Sequence, residues 1–212
     1  MIFDDRRDAA EKLAAQLEQY RGMHAAVLAI PRGAIEMGSA IARHLDAELD
    51  VALVRKLRCP WDEEFAIGAV DESGWSYIAP HAEPLAISAQ YIESERQEQL
   101  AVLKARRARY TPGRGPLDLA GRIAIVVDDG LATGSTMRAA LHAVRARNPA
   151  KLVCAVPVAS VEGIECVRPY ADEVVCLSMP AHFGAVARFY RSFPQVTDET
   201  AIRLLRESEH HA

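Results

Sequence analysis

Short apolar runs alternate with amphipathic segments along this sequence, and this alternation limits the folds that the chain can adopt. Each run is apolar on both faces, as expected for strands buried in a parallel sheet. The predicted core strands are residues 25–30, 50–56, 123–128, 151–159 and 173–178. Apolar positions three and four apart predict covering helices over residues 4–20, 33–45 and 135–147. We therefore expect an α/β fold with a parallel, twisted sheet flanked by helices.

Two segments depart from this alternation. Residues 65–80 contain two apolar runs around an Asp-Glu-Ser-Gly sequence, which predicts a β-hairpin. Residues 88–110 predict one long helix that begins at Ser88 and carries many charges. We expect a single domain over residues 1–212, with a helical elaboration over residues 72–120.

The charge balance argues against a nucleic-acid binder. The 212 residues contain 25 Lys and Arg against 29 Asp and Glu, a net charge of −4, whereas nucleic-acid binders neutralise phosphates with an excess of basic residues. One basic stretch consists of Lys104, Arg106, Arg107, Arg109 and Arg114. Glutamates lie one to three turns upstream, so a solvated helix face is favoured over an RNA site. We therefore expect a small-molecule ligand.

The N-terminal sequence and the cysteines point to a cytoplasmic protein without a membrane partner. The first residues are acidic, where a signal peptide would be basic and then apolar. No apolar run reaches the roughly 18 residues needed to cross a bilayer. The four cysteines include no C-x-x-C pair, so neither a zinc site nor a disulfide framework is indicated.

Residues 123–136 (IAIVVDDGLATGST) carry the strongest indication of chemistry. Their apolar strand ends in Asp128 and Asp129, and ligands of open α/β sheets bind at the carboxyl ends of strands. Gly130 and Gly134 permit close backbone approach to a phosphate at the start of the next helix. The alternative is that the carboxylates only cap the helix, but two of them at the end of an apolar strand are costly without a ligand or metal ion.

Other phosphate-binding and hydrolytic motifs do not fit the sequence. A Walker loop needs a Lys after its second Gly, but Gly33 and Gly38 are followed by Ser39. The signatures G-x-G-x-x-G, H-E-x-x-H and G-x-S-x-G do not occur. The common ATPase, dinucleotide-binding, metalloprotease and hydrolase classes are therefore excluded.

Residues 123–136 resemble the phosphoribosyl pyrophosphate (PRPP) signature of the type I phosphoribosyltransferases, with strand, acid pair, loop and helix in the same order. The resemblance implies that Asp128 and Asp129 hold the ribose hydroxyls. It also implies a loop that wraps the 5-phosphate, and the residues of this loop are Ala132, Thr133, Gly134, Ser135 and Thr136.

Residues 30–34 (IPRGA) also follow an apolar strand and open a helix, so we expect them beside the first loop. They resemble the pyrophosphate loop of the family. This implies that the Arg32 side chain and the Gly33 backbone N–H bind the leaving diphosphate, and that the peptide between Pro31 and Arg32 is cis. The alternative for Arg32 is a surface cation at a helix start.

Residues 54–70 resemble the flexible catalytic loop of the family with its flanking strands. Arg55 and Lys56 lie at the base of this loop and are implied to stabilise pyrophosphate. Residues 57–64 are expected to be the mobile loop that shields the ribosyl centre from water. A plain surface hairpin is the alternative.

The C-terminal segment, residues 179–212, resembles the hood of family members followed by a helix. Its aromatic and apolar pattern consists of Pro180, Phe183, Val186, Phe189 and Tyr190. Such side chains can stack on a planar acceptor. At these spacings, however, packing in the core is favoured.

The resemblance implies transfer of the 5-phosphoribosyl group of PRPP to a nitrogenous acceptor, with release of pyrophosphate. Mg²⁺ is the implied cofactor, bound through the substrate and by Asp128 and Asp129. Ala132 stands where oxopurine-specific relatives place an Asp, which disfavours an oxopurine acceptor, and Glu64 is our candidate general acid or base. A homodimer is expected. The alternative is a non-catalytic sensor of PRPP or nucleotides, which the basic stretch keeps open.

Overall fold

A computed structural model describes residues 1–209, apart from the side chains of Glu64, His81 and Glu209. The described residues form eight strands: β1 (Ala26–Ala29), β2 (Glu48–Val51), β3 (Val54–Cys59), β4 (Asp62–Asp71), β5 (Ser76–Ile78), β6 (Ile123–Val127), β7 (Lys151–Val158) and β8 (Glu173–Ser178). They also form six α-helices: α1 (Arg6–Ala15), α2 (Gly33–Leu45), α3 (Ala89–Tyr110), α4 (Ser135–Arg145), α5 (Val161–Val167) and α6 (Asp198–Glu209).

The main sheet contains five parallel strands in the order β2–β1–β6–β7–β8. Its central strands are fully buried, because helices cover both faces. Helices α1, α2 and α6 pack in the apolar cluster on one face, whereas α4 and α5 pack on the other. This arrangement confirms the predicted fold class.

Most predicted elements are confirmed, and the differences lie at strand ends. Helix α2 and strand β8 have the predicted bounds. The run over residues 50–56 is not one strand, which corrects our prediction: the chain leaves the main sheet at Ala52 and Leu53 and continues as β3 in a second sheet. Both residues at this bend are buried, so the apolar pattern continues across the break and hides it. Helix α5 was not predicted, whereas α6 is the helix expected after the C-terminal hood.

The second sheet is antiparallel, in the order β3–β4–β5. The predicted hairpin over residues 65–80 is confirmed, and Asp71 Oδ1 holds its turn by accepting hydrogen bonds from the backbone N–H groups of Ser73 and Trp75. The prediction that residues 57–64 form a loop is wrong. Cross-strand pairing continues to Cys59 and Asp62, and only Pro60 and Trp61 turn the chain.

The long helix α3 begins after Ser88, whose side chain accepts a hydrogen bond from the Tyr91 backbone N–H, as predicted for its N-cap. The basic stretch at its end is not one solvated face. Arg107 is buried and pairs with Asp50 of β2 and with Glu72 at the turn after β4. None of the described helices is both long and apolar enough to cross a bilayer.

We expect Arg107→Met to lower the free energy of unfolding by about 3 kcal/mol, because it leaves the fully buried Asp50 carboxylate short of a charged partner. Urea denaturation of the purified protein measures this change. Arg203→Met is the matched control, since Arg203 is exposed and pairs only along its own helix with Glu207. Equal losses in the two variants would contradict the assignment.

Candidate active site

Strands β1 and β6 end side by side, and this alignment brings two predicted loops together. Ala29 pairs with Val127 across the strands, and the Ile30 backbone N–H donates to the Val127 carbonyl at 3.0 Å. Beyond these strand ends, a Cβ on Gly33 would lie only 2.2 Å from Asp129 Oδ2. Glycine is therefore required at the start of α2, because any side chain would displace the Asp129 carboxylate. The predicted cis peptide between Pro31 and Arg32 is confirmed.

Asp128 and Asp129 form a crowded acidic pair. Asp128 Oδ1 accepts a hydrogen bond from the Asp129 backbone N–H at 2.9 Å. Burial raises the pKa of Asp128 well above its ordinary value, and the charge on Asp129 raises it further. Burial also raises the pKa of Asp129, although Arg6 opposes that shift. The pair is thus an electrostatically costly site that a hydrogen-bonding or cationic ligand would relieve.

Arg6 at the start of α1 holds Asp129, and sequence reasoning missed it. Its Nε and Nη2 each lie 2.9 Å from Asp129 Oδ2, and its Nη1 donates to the Pro194 carbonyl at 2.7 Å. The guanidinium carbon lies 3.7 Å from the centroid of the Phe193 ring. One signal was available: Arg6 occupies the same buried helix face as Leu13.

The segment after β8 reaches this site through its core residues. The Tyr190 hydroxyl donates to the Asp129 carbonyl at 2.7 Å, and a Cβ on Gly130 would lie 2.7 Å from Val186 Cγ1. Phe183 and Phe189 are buried against each other with ring centroids 5.2 Å apart. These aromatic residues therefore pack in the core, which the sequence analysis favoured over stacking on a ligand. Their packing holds the C-terminal segment against the acid pair.

The predicted phosphate loop precedes α4. Gly134 has a φ of 72° and is the N-cap of α4, and a Cβ there would lie 2.8 Å from the Gly163 carbonyl oxygen. Thr133 Oγ1 and Ser135 Oγ share a hydrogen bond at 3.1 Å. Ala132 and Thr136 are exposed. Backbone N–H groups and hydroxyls thus surround a helix N-terminus, which suits an anion.

A cleft of about 320 Å³ lies where the residues after β1 meet β3 and the start of α4. It is lined by residues that include Pro31, Arg55, Lys56, Arg58, Glu63, Arg106 and Thr136. Three sequence-predicted segments therefore share one cleft, whereas Arg58 and Arg106 are additions that sequence reasoning missed. Arg32 forms an ion pair with Asp198 instead, with Nη1 and Oδ1 3.7 Å apart. The side chain of the candidate Glu64, on β4, lies outside the described residues.

Comparisons with known proteins agree on one family. The sequence profile of the phosphoribosyl transferase domain matches residues 2–193. A protein of Mycobacterium tuberculosis (strain H37Rv), provisionally named a phosphoribosyl transferase, is 40% identical over 205 residues. The match covers 96% of this chain and 46% of that protein, so the chain spans about half the length of this relative. The crystal structure of TT1426 from Thermus thermophilus is similar with a TM-score of 0.88 and 43% identity, over 98% of this chain and 99% of that one.

We expect Arg6→Met to lower the free energy of unfolding by about 3 kcal/mol, because it removes the charged partner of a largely buried Asp129. Chemical denaturation measures this change. Arg7→Met is the matched control, since the neighbouring Arg7 is 77% exposed and pairs only with Glu11. If the two variants are equally stable, the Arg6 contacts do not hold the site together.

We expect Asp128→Asn to stabilise the ligand-free protein at neutral pH. Because burial raises the pKa of Asp128 in the folded state, the folded protein keeps this proton to a higher pH than the unfolded chain, and stability falls as pH rises through the folded pKa. The substitution removes that loss, so its benefit should shrink as pH falls toward the ordinary aspartic acid range. Urea denaturation at neutral and acidic pH tests this, with the exposed Asp118→Asn as control. A gain that does not depend on pH would contradict the assignment.

Proposed function

The chain belongs to the phosphoribosyl transferase domain family, and from this membership we propose that it transfers the 5-phosphoribosyl group of PRPP to a nitrogenous acceptor and releases pyrophosphate. One observation supports this most: Gly33 and Asp129 approach so closely that the proposed pyrophosphate loop and ribose-binding pair form one surface. A substrate that carries a ribose between a phosphate and a diphosphate fits such a surface.

We assign the ribose hydroxyls to Asp128 and Asp129. Carboxylate oxygens accept hydrogen bonds from hydroxyls, and charge-assisted bonds are stronger than neutral ones. Arg6 donates a hydrogen bond to Oδ2 of Asp129, so we assign the other carboxylate oxygen of Asp129 to the ribose. The same carboxylates would stabilise the positive charge that develops on the sugar as pyrophosphate departs.

We assign the 5-phosphate to the loop of residues 132–136. Its backbone N–H groups lie at the N-terminus of α4, where the helix dipole favours an anion. The hydroxyls of Thr133, Ser135 and Thr136 supply further donors. This loop would hold the ribose in place while the anomeric carbon reacts, which is a positioning role.

The donor set fits Mg²⁺. Proteins usually bind this ion through one or two carboxylates together with substrate phosphates, and the site offers Asp128 and Asp129 beside a cationic cleft suited to phosphates. Asp128 is the stronger candidate ligand, because Arg6 already engages Asp129. When bound, Mg²⁺ would neutralise charge on the departing diphosphate.

We assign the leaving pyrophosphate to Arg55, Lys56 and the Gly33 backbone N–H. Both side chains lie on β3 and line the cleft. Arg32 remains a further candidate ligand, since its side chain is 42% exposed and its ion pair with Asp198 is 3.7 Å long.

We propose an acceptor other than an oxopurine, on the grounds of Ala132. This position carries no carboxylate, and its carbonyl accepts a hydrogen bond from Ser160 Oγ. Acid or base assistance would then come from elsewhere, and Glu64 on β4 remains our candidate.

The alternative of a non-catalytic sensor has less support. It was kept open by the basic stretch, which would supply a nucleic-acid surface. Arg107 and Arg114 pair with the buried Asp50, and Arg109 pairs with Asp198. Arg107 and Arg114 are therefore tied to a buried carboxylate, whereas Lys104, Arg106 and Arg109 are exposed.

Calorimetric titration with PRPP and Mg²⁺ tests the proposed function. We expect binding by the wild type and a loss of about 100-fold or more in the Asp128→Asn, Asp129→Asn double variant, because charge-assisted hydrogen bonds are lost. Asp118→Asn is the matched control. Pyrophosphate release in the presence of a panel of nitrogenous bases then identifies the acceptor. A folded double variant with unchanged affinity would refute the ribose assignment, and binding without release for any base would favour the sensor.

A further inference from the structure

The cleft of about 320 Å³ brings four cations together from two elements, with one carboxylate, Glu63, also in its lining. Arg55, Lys56 and Arg58 lie on β3, whereas Arg106 lies on α3. One of the four is neutralised within the protein. Arg58 Nε and Nη2 lie 2.8 and 3.1 Å from the two oxygens of the buried Glu95, and Nη2 lies 2.7 Å from Glu98.

The other three cations form no ion pair within the described part of the protein, and the Glu63 carboxylate in the cleft lining pairs with Arg58 instead, 3.8 Å away. Arg55 donates to the uncharged Gln99. Burial lowers the pKa of Arg55, and the charges of Arg106 and Arg58 lower it further, whereas the carboxylates of Glu95 and Glu98 oppose the shift. No ion pair joins Lys56 or Arg106 to a carboxylate among the side chains that the structure describes. Three like charges around one cleft repel one another, and an anion between them would offset that repulsion.

The side of α3 on which Arg106 lies is related to the position of its neighbour Arg107. Arg107 is buried and tied to Asp50 and Glu72, which fixes the rotation of α3 about its axis. Successive residues on a helix point about 100° apart. Arg106 thus lies about 100° around the helix from the anchored Arg107, and it lines the cleft.

We propose that Arg106, together with Arg55 and Lys56, forms a subsite for the diphosphate of the substrate, with α3 as its outer wall. This inference rests on the proposed function and deepens it. Thr136 lines the same cleft at the start of α4, so a ligand that spans it meets anion-binding groups at both ends. A diphosphate carries more negative charge than a phosphate monoester and suits three cations better.

Calorimetric titration with inorganic pyrophosphate tests this subsite. We expect Arg106→Gln to weaken pyrophosphate binding about tenfold, as expected when a hydrogen bond to a charged group is lost, and Arg106→Lys to restore part of it. Lys104→Gln is the matched control, because Lys104 is exposed on the same helix but does not line the cleft. Ribose 5-phosphate is the second probe, and its affinity should be the same in the wild type and in Arg106→Gln.

Each outcome is decisive. Unchanged pyrophosphate affinity in Arg106→Gln overturns the subsite while leaving the proposed function standing. Arg106→Gln could instead weaken pyrophosphate and ribose 5-phosphate equally, or Lys104→Gln could weaken pyrophosphate as much as Arg106→Gln does. Either result indicates a long-range electrostatic effect of any positive charge and also overturns the subsite. A wild-type protein that binds neither probe overturns the proposed function together with the subsite. Selective loss of pyrophosphate in Arg106→Gln supports the proposal.

Discussion

The contact between Arg6 and Asp129 is the constraint on which the site depends. A carboxylate at the end of a buried strand needs a charged partner, and the nearest one comes from the first helix, 123 positions earlier in the chain. The same guanidinium binds the Pro194 carbonyl and packs on Phe193. One side chain therefore joins α1, the end of β6 and the C-terminal segment. Gly33 completes this arrangement because only a residue without a Cβ leaves room for the carboxylate.

A second buried charge cluster organises the other side of the cleft. Asp50 is fully buried on β2, at the edge of the main sheet, and Arg107 links it to Glu72 in the turn between β4 and β5. The second sheet also docks on α4, where the His142 ring stacks 4.4 Å from the Tyr77 ring. Helix α3 and the hairpin of β3 and β4 are thus held as one wall of the cleft.

The arginines of the protein fall into two groups. Arg6, Arg58 and Arg107 are committed to carboxylates and stabilise the fold. Arg55 and Arg106 are left without such partners beside a cleft. The acid pair is likewise only partly compensated, since burial raises the pKa of Asp128. Charges that are uncompensated in the free protein are available to a ligand, and this is typical of functional sites.

The amino-acid sequence alone determined the α/β class, the bounds of α2 and β8, and the positions of the acid pair and its glycine-rich turn. Those features depend on apolar periodicity and on consecutive residues, so short segments of the sequence are enough to predict them. Only the tertiary structure decided that Arg6 reaches Asp129, that Arg106 lines the cleft and that strand pairing leaves only two turn residues within 57–64. The break at Ala52 and Leu53 was hidden because both residues are buried and extend the apolar run. Such features are set by contacts between residues far apart in the chain, and no local pattern of hydrophobicity encodes which distant charge or strand will be the partner.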